Sequence, residues 1–182
     1  MRIVSGFLKG RRFEMPSSKW KTRPTTDYAK ESLFNILHHQ IDYDGIEVLD
    51  LFSGTGSIAY EFISRGAAKA TVVEKFAPCI QFIKKQAVIF KIEAQLIYHK
   101  NDAFRFLKKH TKSYDIIFAD PPYAHPQYQQ LPDIIRENQL LKKGGILIIE
   151  HDSRQNFEND SNFTELRQYG QSFFSFFVNN EV

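Results

Sequence analysis

Two stretches of this chain hold residue types that could do chemistry together. The first is Asp50-Leu51-Phe52-Ser53-Gly54-Thr55-Gly56-Ser57. Its glycines let the backbone turn sharply and approach a ligand closely. Glu74 follows 24 residues after Asp50, and a carboxylate there can accept bonds from the two hydroxyls of a ribose. The second stretch is Asp120-Pro121-Pro122-Tyr123. Two prolines fix the backbone and remove two N–H donors, which leaves carbonyl acceptors. Asp120 adds a carboxylate and Tyr123 a flat ring. Acceptors beside an aromatic face suit the exocyclic amine of a stacked base. Asp120 and the Pro121 carbonyl would hold the amine hydrogens while the Tyr123 ring stacks on the base.

The glycine stretch alone is ambiguous. Gly54-Thr55-Gly56-Ser57-Ile58-Ala59 also satisfies the dinucleotide pattern G-x-G-x-x-[GA], so a nicotinamide enzyme stays open. Asp50 favours a cationic ligand, because a carboxylate just before the glycines repels phosphate and attracts an ammonium or sulfonium.

The surrounding pattern says what must position these residues. Ile46–Phe52, Ala70–Glu74, Gln95–Tyr98, Tyr114–Ala119 and Gly145–Glu150 read as strands. Between them run helical stripes: Ile58, Ala59, Phe62 and Ile63, closed by Gly66; then Ile80, Ile83, Ala87 and Phe90. A short helix is expected around Ala103–Lys109 and another within Gln127–Leu141. This alternation predicts a parallel sheet with helices on both faces. Ligands of such sheets bind outside the carboxyl ends of the strands, where both stretches fall.

Phe163–Tyr169 and Ser172–Val178 read as two strands around Gly170-Gln171. Phenylalanines 173, 174, 176 and 177 occupy both parities, so the last strand should be covered on both faces and inserted inside the sheet. Upstream, Arg2–Val4 and Arg12–Met15 read as a short hairpin. Ala29, Leu33, Ile36 and Leu37 form a helical face, with Thr25, Thr26 and Asp27 available as N-caps.

Length and composition exclude several classes. The 182 residues fit one domain able to bury a core unaided. A single cysteine, Cys79, excludes an intramolecular disulfide framework and a Cys-rich zinc site. It reads as packing. The six histidines lack ligand spacing, so no metal is expected. No apolar run reaches the ~18 residues of a membrane helix, and MRIVSGFLKGRRFEMP lacks a signal-peptide core. A soluble, cytoplasmic protein with no membrane contact is expected.

The net charge of +3 hides an uneven distribution. Residues 1–30 hold eight basic side chains against two acids, a local +6, and the remainder is −3. A basic arm on a mildly acidic body is a footprint of nucleic-acid contact, though a solvated terminus would give the same count.

Asp50–Gly56 taken with Asp120–Tyr123 resembles the class I S-adenosylmethionine-dependent methyltransferases that act on exocyclic amines of bases. Arg2–Gly6, Lys9-Gly10-Arg11, Arg23–Asp27 and Glu31–Asn35 narrow the resemblance to the RsmD family, bacterial 16S ribosomal RNA guanine-N2 methyltransferases. It covers nearly the whole chain and is weakest in 124–142 and 151–165. It implies a Rossmann-like α/β fold, with a seven-stranded, mostly parallel sheet ending in an antiparallel hairpin. A basic arm (1–25) would precede a methyltransferase domain (26–182).

The same resemblance assigns residues. Ser53, Gly54 and Gly56 would line the methionine part of S-adenosylmethionine, with Asp50 near its charged end and Phe52 also binding the cofactor. Glu74 matches the ribose acid, Asp102 with Ala103 the adenine site, and Arg23 and Thr25 a motif beside the cofactor. Asp120, Pro121 and Tyr123 would be catalytic. Pro122, Arg2, Lys9, Arg11 and Arg12 would contact RNA in the small subunit or its assembly intermediate, the protein acting as a monomer. Two rivals stay open: an adenine-N6 methyltransferase of DNA or RNA, and a non-catalytic RNA-binding assembly factor.

Overall fold

The structure is a computed structural model describing residues 1–14, 26–122 and 125–180. Seven strands form one sheet: β1 (Glu47–Leu51), β2 (Lys69–Glu74), β3 (Leu96–Lys100), β4 (Tyr114–Ala119), β5 (Leu141–His151), β6 (Phe163–Tyr169) and β7 (Ser172–Val178). Their order is β3-β2-β1-β4-β5-β7-β6. The first five run parallel, and β7 pairs antiparallel with both β5 and β6. Among the described residues α1 (Asp27–His38) precedes β1, and four α-helices connect the parallel strands: α2 (Ser57–Arg65), α3 (Ala77–Phe90), α4 (Ala103–Leu107) and α5 (Leu131–Glu137).

Each layer follows from local sequence. The Thr26 hydroxyl accepts from the Ala29 amide at 3.1 Å and caps α1. Gly66, at φ 125°, ends α2 in a conformation that L side chains rarely adopt. Two apolar clusters lie on opposite faces of the sheet. One joins α1, α2 and α3 to Val48, Val72 and Ile148; the other joins α4 and α5 to Leu49, Ile117 and Leu147. Covering both faces is what makes the central strands continuously apolar.

The phenylalanines of β7 divide as their parity requires. Phe174 and Phe176 enter the first cluster, Phe177 enters the second, and Phe173 stacks on His151. The outer strand β6 carries Glu165 and Arg167, charges that discourage pairing at an edge.

The bounds of the third and fifth strands need correction. The third strand runs to Lys100 and begins at Leu96, after a 3-10 turn at Glu93–Gln95. The fifth strand begins at Leu141, so Gly144 and Gly145 sit inside it, near the register shift between Tyr114 and Ile116 on β4. The helix expected within 127–141 is present as α5, preceded by a 3-10 turn at Tyr128–Gln130. In α1, Ile36 is only partly buried, whereas Lys30 and Phe34 are fully buried.

The first fourteen residues are built onto the body. They form a tight hairpin with one antiparallel bridge between Arg2 and Arg12, supported by Ile3 N to Arg11 O and Gly10 N to Ile3 O, both 2.9 Å. Ile3, Leu8 and Phe13 are buried in the same cluster as α1–α3, and Phe13 meets Tyr60 edge-on at 5.3 Å.

Candidate active site

Register places the two chemical stretches side by side. Leu51 is opposite Val73 on β2 and Ala119 on β4. The loop after β1 therefore emerges between Glu74 and Asp120. The chain lays β2 and β3 to one side of β1 and returns with β4 on the other, so the strand order reverses between β1 and β4. That is the position at which open α/β sheets form a ligand crevice.

The glycine loop is held by bonds to β2. Ser53 N donates to Val73 O at 3.2 Å, and the Ser53 hydroxyl accepts from Val73 N at 3.1 Å and lies 2.6 Å from Asp50 O. Gly54 N donates to Glu74 Oε2 at 3.0 Å, and Phe76 N to Glu74 Oε1 at 2.8 Å. Glu74 thus ties two loops together. Each of its oxygens retains acceptor capacity, because a carboxylate offers about four lone-pair sites. Gly56 turns into α2 at φ 79°, and a Cβ there would come within 2.9 Å of the Tyr60 ring. Phe52, with no such freedom, also adopts a left-handed φ of 59°. Backbone strain of this kind clusters at ligand sites.

Asp50 lies beneath the loop and is 1% exposed. Desolvation dominates its carboxyl, pushing it up to about 8 against the Ala59 amide, which favours the charged form. One oxygen, Oδ2, is buried without a hydrogen-bond partner among the described residues. A cationic group at the crevice floor would supply the missing interaction. The donor set therefore fits a sulfonium or ammonium nucleoside: an orphaned buried carboxylate oxygen, a Gly54 at which a Cβ would meet only Phe52 O at 3.9 Å, and a half-buried Glu74.

Asp102 sits after β3 and caps α4, accepting from Arg105 N at 3.1 Å. Ala103 is buried behind it. On the other side of the crevice, Asp120 is half-buried and its amide reaches Leu51 O at 3.5 Å. Pro121 is buried and Pro122 exposed; His125 N donates to Pro122 O at 2.9 Å and closes the turn. Tyr123, Arg23 and Thr25 lie outside the described residues.

An aromatic series escaped sequence reading. Phe52 meets the Phe104 ring at 5.8 Å, and His125 stacks on Phe104 at 4.4 Å with planes 16° apart. These contacts link the glycine loop, α4 and the segment after Asp120. Phe104 follows Asp102 by two residues, but nothing in its spacing separates it from an ordinary core position.

The basic residues fall on the hairpin. Arg2, Lys9, Arg11 and Arg12 are all exposed. Arg2 is engaged with Glu31 at 3.3 Å. Beneath them is a buried polar junction that the sequence did not announce. Lys30 and Glu61 have fully buried side chains 3.7 Å apart. Glu61 accepts from Val4 N at 2.8 Å, Ser5 N at 3.0 Å and Arg65 Nε at 2.9 Å. Lys30 Nζ donates to Arg2 O at 2.5 Å and to Ser57 Oγ at 3.1 Å. A visible signal was Lys30 interrupting the apolar stripe of α1, with Glu61 and Arg65 one helical turn apart on α2. Cys79 is buried in α3, and burial pushes its thiol up to about 12. Among the described residues no group of three or more His, Cys, Asp or Glu side chains could hold a metal.

Comparison with known proteins agrees with this geometry. A family model described as Conserved hypothetical protein 95 matches residues 1–178. Ribosomal RNA small subunit methyltransferase D of Buchnera aphidicola subsp. Baizongia pistaciae is 34% identical over 156 residues, covering 86% of this chain and 78% of that protein. The solved structure of yhhF from Escherichia coli superposes with a TM-score of 0.85 at 25% identity, covering 98% of this chain and 97% of that one. An RNA methyltransferase from Salinibacter ruber, solved in complex with S-adenosyl-L-homocysteine, shares the fold with a TM-score of 0.68 at 15% identity, covering 88% of this chain and 95% of that one. The chain belongs to the Conserved hypothetical protein 95 family, the RsmD family of methyltransferases.

Proposed function

We propose that this chain transfers a methyl group from S-adenosylmethionine to the exocyclic N2 of a guanine in 16S ribosomal RNA of the small subunit. The observation that carries this reading is the β1–β4 register. It brings the ends of β1 and β4, from which the Ser53–Gly56 loop and Asp120-Pro121 continue, next to one another, and this supports reading them as two sides of one site.

When bound, S-adenosylmethionine supplies an electrophilic methyl group on a sulfonium. The chain's residues do the rest. Glu74 accepts from the ribose hydroxyls, Asp102 and Ala103 hold the adenine, and Phe52, Ser53, Gly54 and Gly56 line the methionine portion, with Arg23 and Thr25 beside it. Asp50 lends negative charge to the crevice floor. Asp120 and the Pro121 carbonyl accept the two N2 hydrogens, and the Tyr123 ring stacks on the guanine. Pulling both hydrogens to one side weakens delocalisation of the nitrogen lone pair into the ring. N2 would thereby be held with its lone pair facing the methyl group that the cofactor would supply, and Asp120 would be placed to accept the proton that N2 gives up. Orienting two bound reactants in line supplies most of the acceleration. The target base must be unpaired or flipped out to enter.

Residues 1–25 act as the RNA handle through Arg2, Lys9, Arg11 and Arg12, with Pro122 at the crevice rim, and 26–182 form the catalytic body. The protein works as a cytoplasmic monomer on the small subunit or its assembly intermediate. Incubation with labelled S-adenosylmethionine and unmodified small subunits, followed by nucleoside analysis, tests this. Label on N2-methylguanosine is expected. Label only on adenine, or none on any form of the subunit, overturns it.

A further inference from the structure

Phe7 stands out on the hairpin because its backbone is fixed and its ring is not buried. The Phe7 amide donates to Ser64 O at 2.9 Å, and the next amide, Leu8, donates to Ser64 Oγ at 3.0 Å. Ser64 Oγ in turn lies 2.5 Å from Ser5 O. Gly6 lies so close to α2 that a Cβ there would be 1.6 Å from Ser64 O. Leu8 on one side is buried in the core. Yet the Phe7 side chain is 64% exposed. A single exposed apolar residue is ordinary. A pinned aromatic ring within five residues of exposed Lys9, Arg11 and Arg12 is a different arrangement. Arg12 is also bridged across the hairpin to Arg2, whose guanidinium already meets Glu31 at 3.3 Å, so that Arg12 adds its charge to those of Lys9 and Arg11.

We infer that Phe7 is a stacking platform for an unpaired RNA base flanking the target nucleotide, while the neighbouring cations take the adjoining phosphates. This rests on the RNA methyltransferase reading and extends it to a second contact point. A stacking ring accepts any base, since every base has a π face, and rigid presentation limits the entropy lost on binding. Position decides which kinetic constant the contact affects. Ser64 lies seven residues along α2 from Ser57, at the glycine loop, so Phe7 sits about 10 Å away along the helix. A base held there is not the base being methylated. The contact therefore strengthens binding without reaching the reacting atoms.

The test uses the full chain and unmodified small-subunit ribosomal RNA transcribed in vitro. Phe7→Ala should raise Kd and KM about tenfold, in keeping with one lost stacked base, with kcat unchanged. Its salt dependence should keep the slope of the unsubstituted protein, because no phosphate contact is lost. Arg12→Ala should make that slope shallower by about 0.7. Phe7→Trp should bind at least as well as Phe, and thermal midpoint and S-adenosylmethionine affinity should not change in any Phe7 variant. Equal RNA affinity for Phe7→Ala overturns the proposal, as does Phe7→Leu binding like Phe, which would indicate plain apolar contact. If the unsubstituted protein transfers methyl groups yet Phe7→Ala is silent, only the platform falls. If it binds no RNA, the platform and the functional reading fall together.

Discussion

Asp50 combines full burial, one satisfied oxygen and one orphaned oxygen, and so it holds its proton far above the ordinary carboxyl range. Its folded pKa near 8, against 3.8 for an exposed group, makes the folded state the stronger proton binder between those values. Stability contributed by that proton is present below pH ~4 and is lost as pH rises toward 8. Asp50→Asn should remove this slope, leaving the variant the more stable of the two at pH 8 in denaturant titrations. A cationic ligand over Asp50 should expel the proton. S-adenosylmethionine binding near pH 7 is then expected to release protons, seen as a buffer-dependent heat in calorimetry, and Asp50→Asn should release none. Buffer-independent heats for the unsubstituted protein would contradict this. For Asp120 the expected effect lies on the chemical step. Asp120→Ala should lower kcat about 100-fold or more, with S-adenosylmethionine affinity unchanged. Comparable loss of cofactor affinity would place Asp120 in cofactor binding instead. Both acids were legible in the sequence because each borders a backbone punctuation, glycines or prolines. Phe104 and His125 were not, since an aromatic ring in the first turn of a helix or in a loop looks the same whether it packs or faces a ligand.

At the scale of elements, α2 is where the site and the hairpin meet. Its first residue, Ser57, follows the glycine loop and takes a bond from Lys30, while Glu61 and Ser64 on later turns hold the hairpin backbone and Arg65 braces Glu61. The strands and helices around it were legible from periodicity, because parallel strands covered on both faces give unbroken apolar runs. The docking was not. Lys30 interrupts the apolar stripe of α1, but periodicity names no partner for it or for Glu61, and their burial depends on groups more than 25 positions away. Two glycines separate docking from simple backbone preference. Gly6 and Gly10 both have positive φ, at 79° and 83°. A Cβ at Gly10 meets nothing within 4 Å, whereas one at Gly6 collides with Ser64 O. Gly10→Ala should cost about 1 kcal/mol from conformation alone. Gly6→Ala should cost ~2–4 kcal/mol, adding overpacking to the same strain. Equal losses in chemical denaturation would mean that the hairpin does not bear on α2.

For the molecule as a whole, charge separation coexists with structural unity. The segment carrying the excess positive charge begins with a hairpin whose apolar residues, Ile3, Leu8 and Phe13, share the core of α1, α2 and α3. Removing a partner from a buried ion pair leaves the other charge uncompensated, typically at a cost of ~3–5 kcal/mol. Both partners of the Lys30–Glu61 pair lie on the body, on α1 and α2, and lifting the hairpin away would strip that buried pair of its bonds to Arg2 O, Val4 N and Ser5 N. Hydrogen exchange reads this directly, because an amide exchanges through the least costly opening that exposes it. The amides of Val4, Ser5 and Leu8 are bonded to side chains of α2. They should exchange with an opening free energy close to that of β1 and β4, so that one cooperative transition exposes all of them. In Glu61→Gln the charge-assisted bonds weaken, and Val4 and Ser5 should exchange faster than the β4 amides of the same variant. Fast exchange of Val4, Ser5 and Leu8 in the unsubstituted protein would instead describe a hinged arm. RNA bound to such an arm could not be held in fixed register with the crevice between β1 and β4.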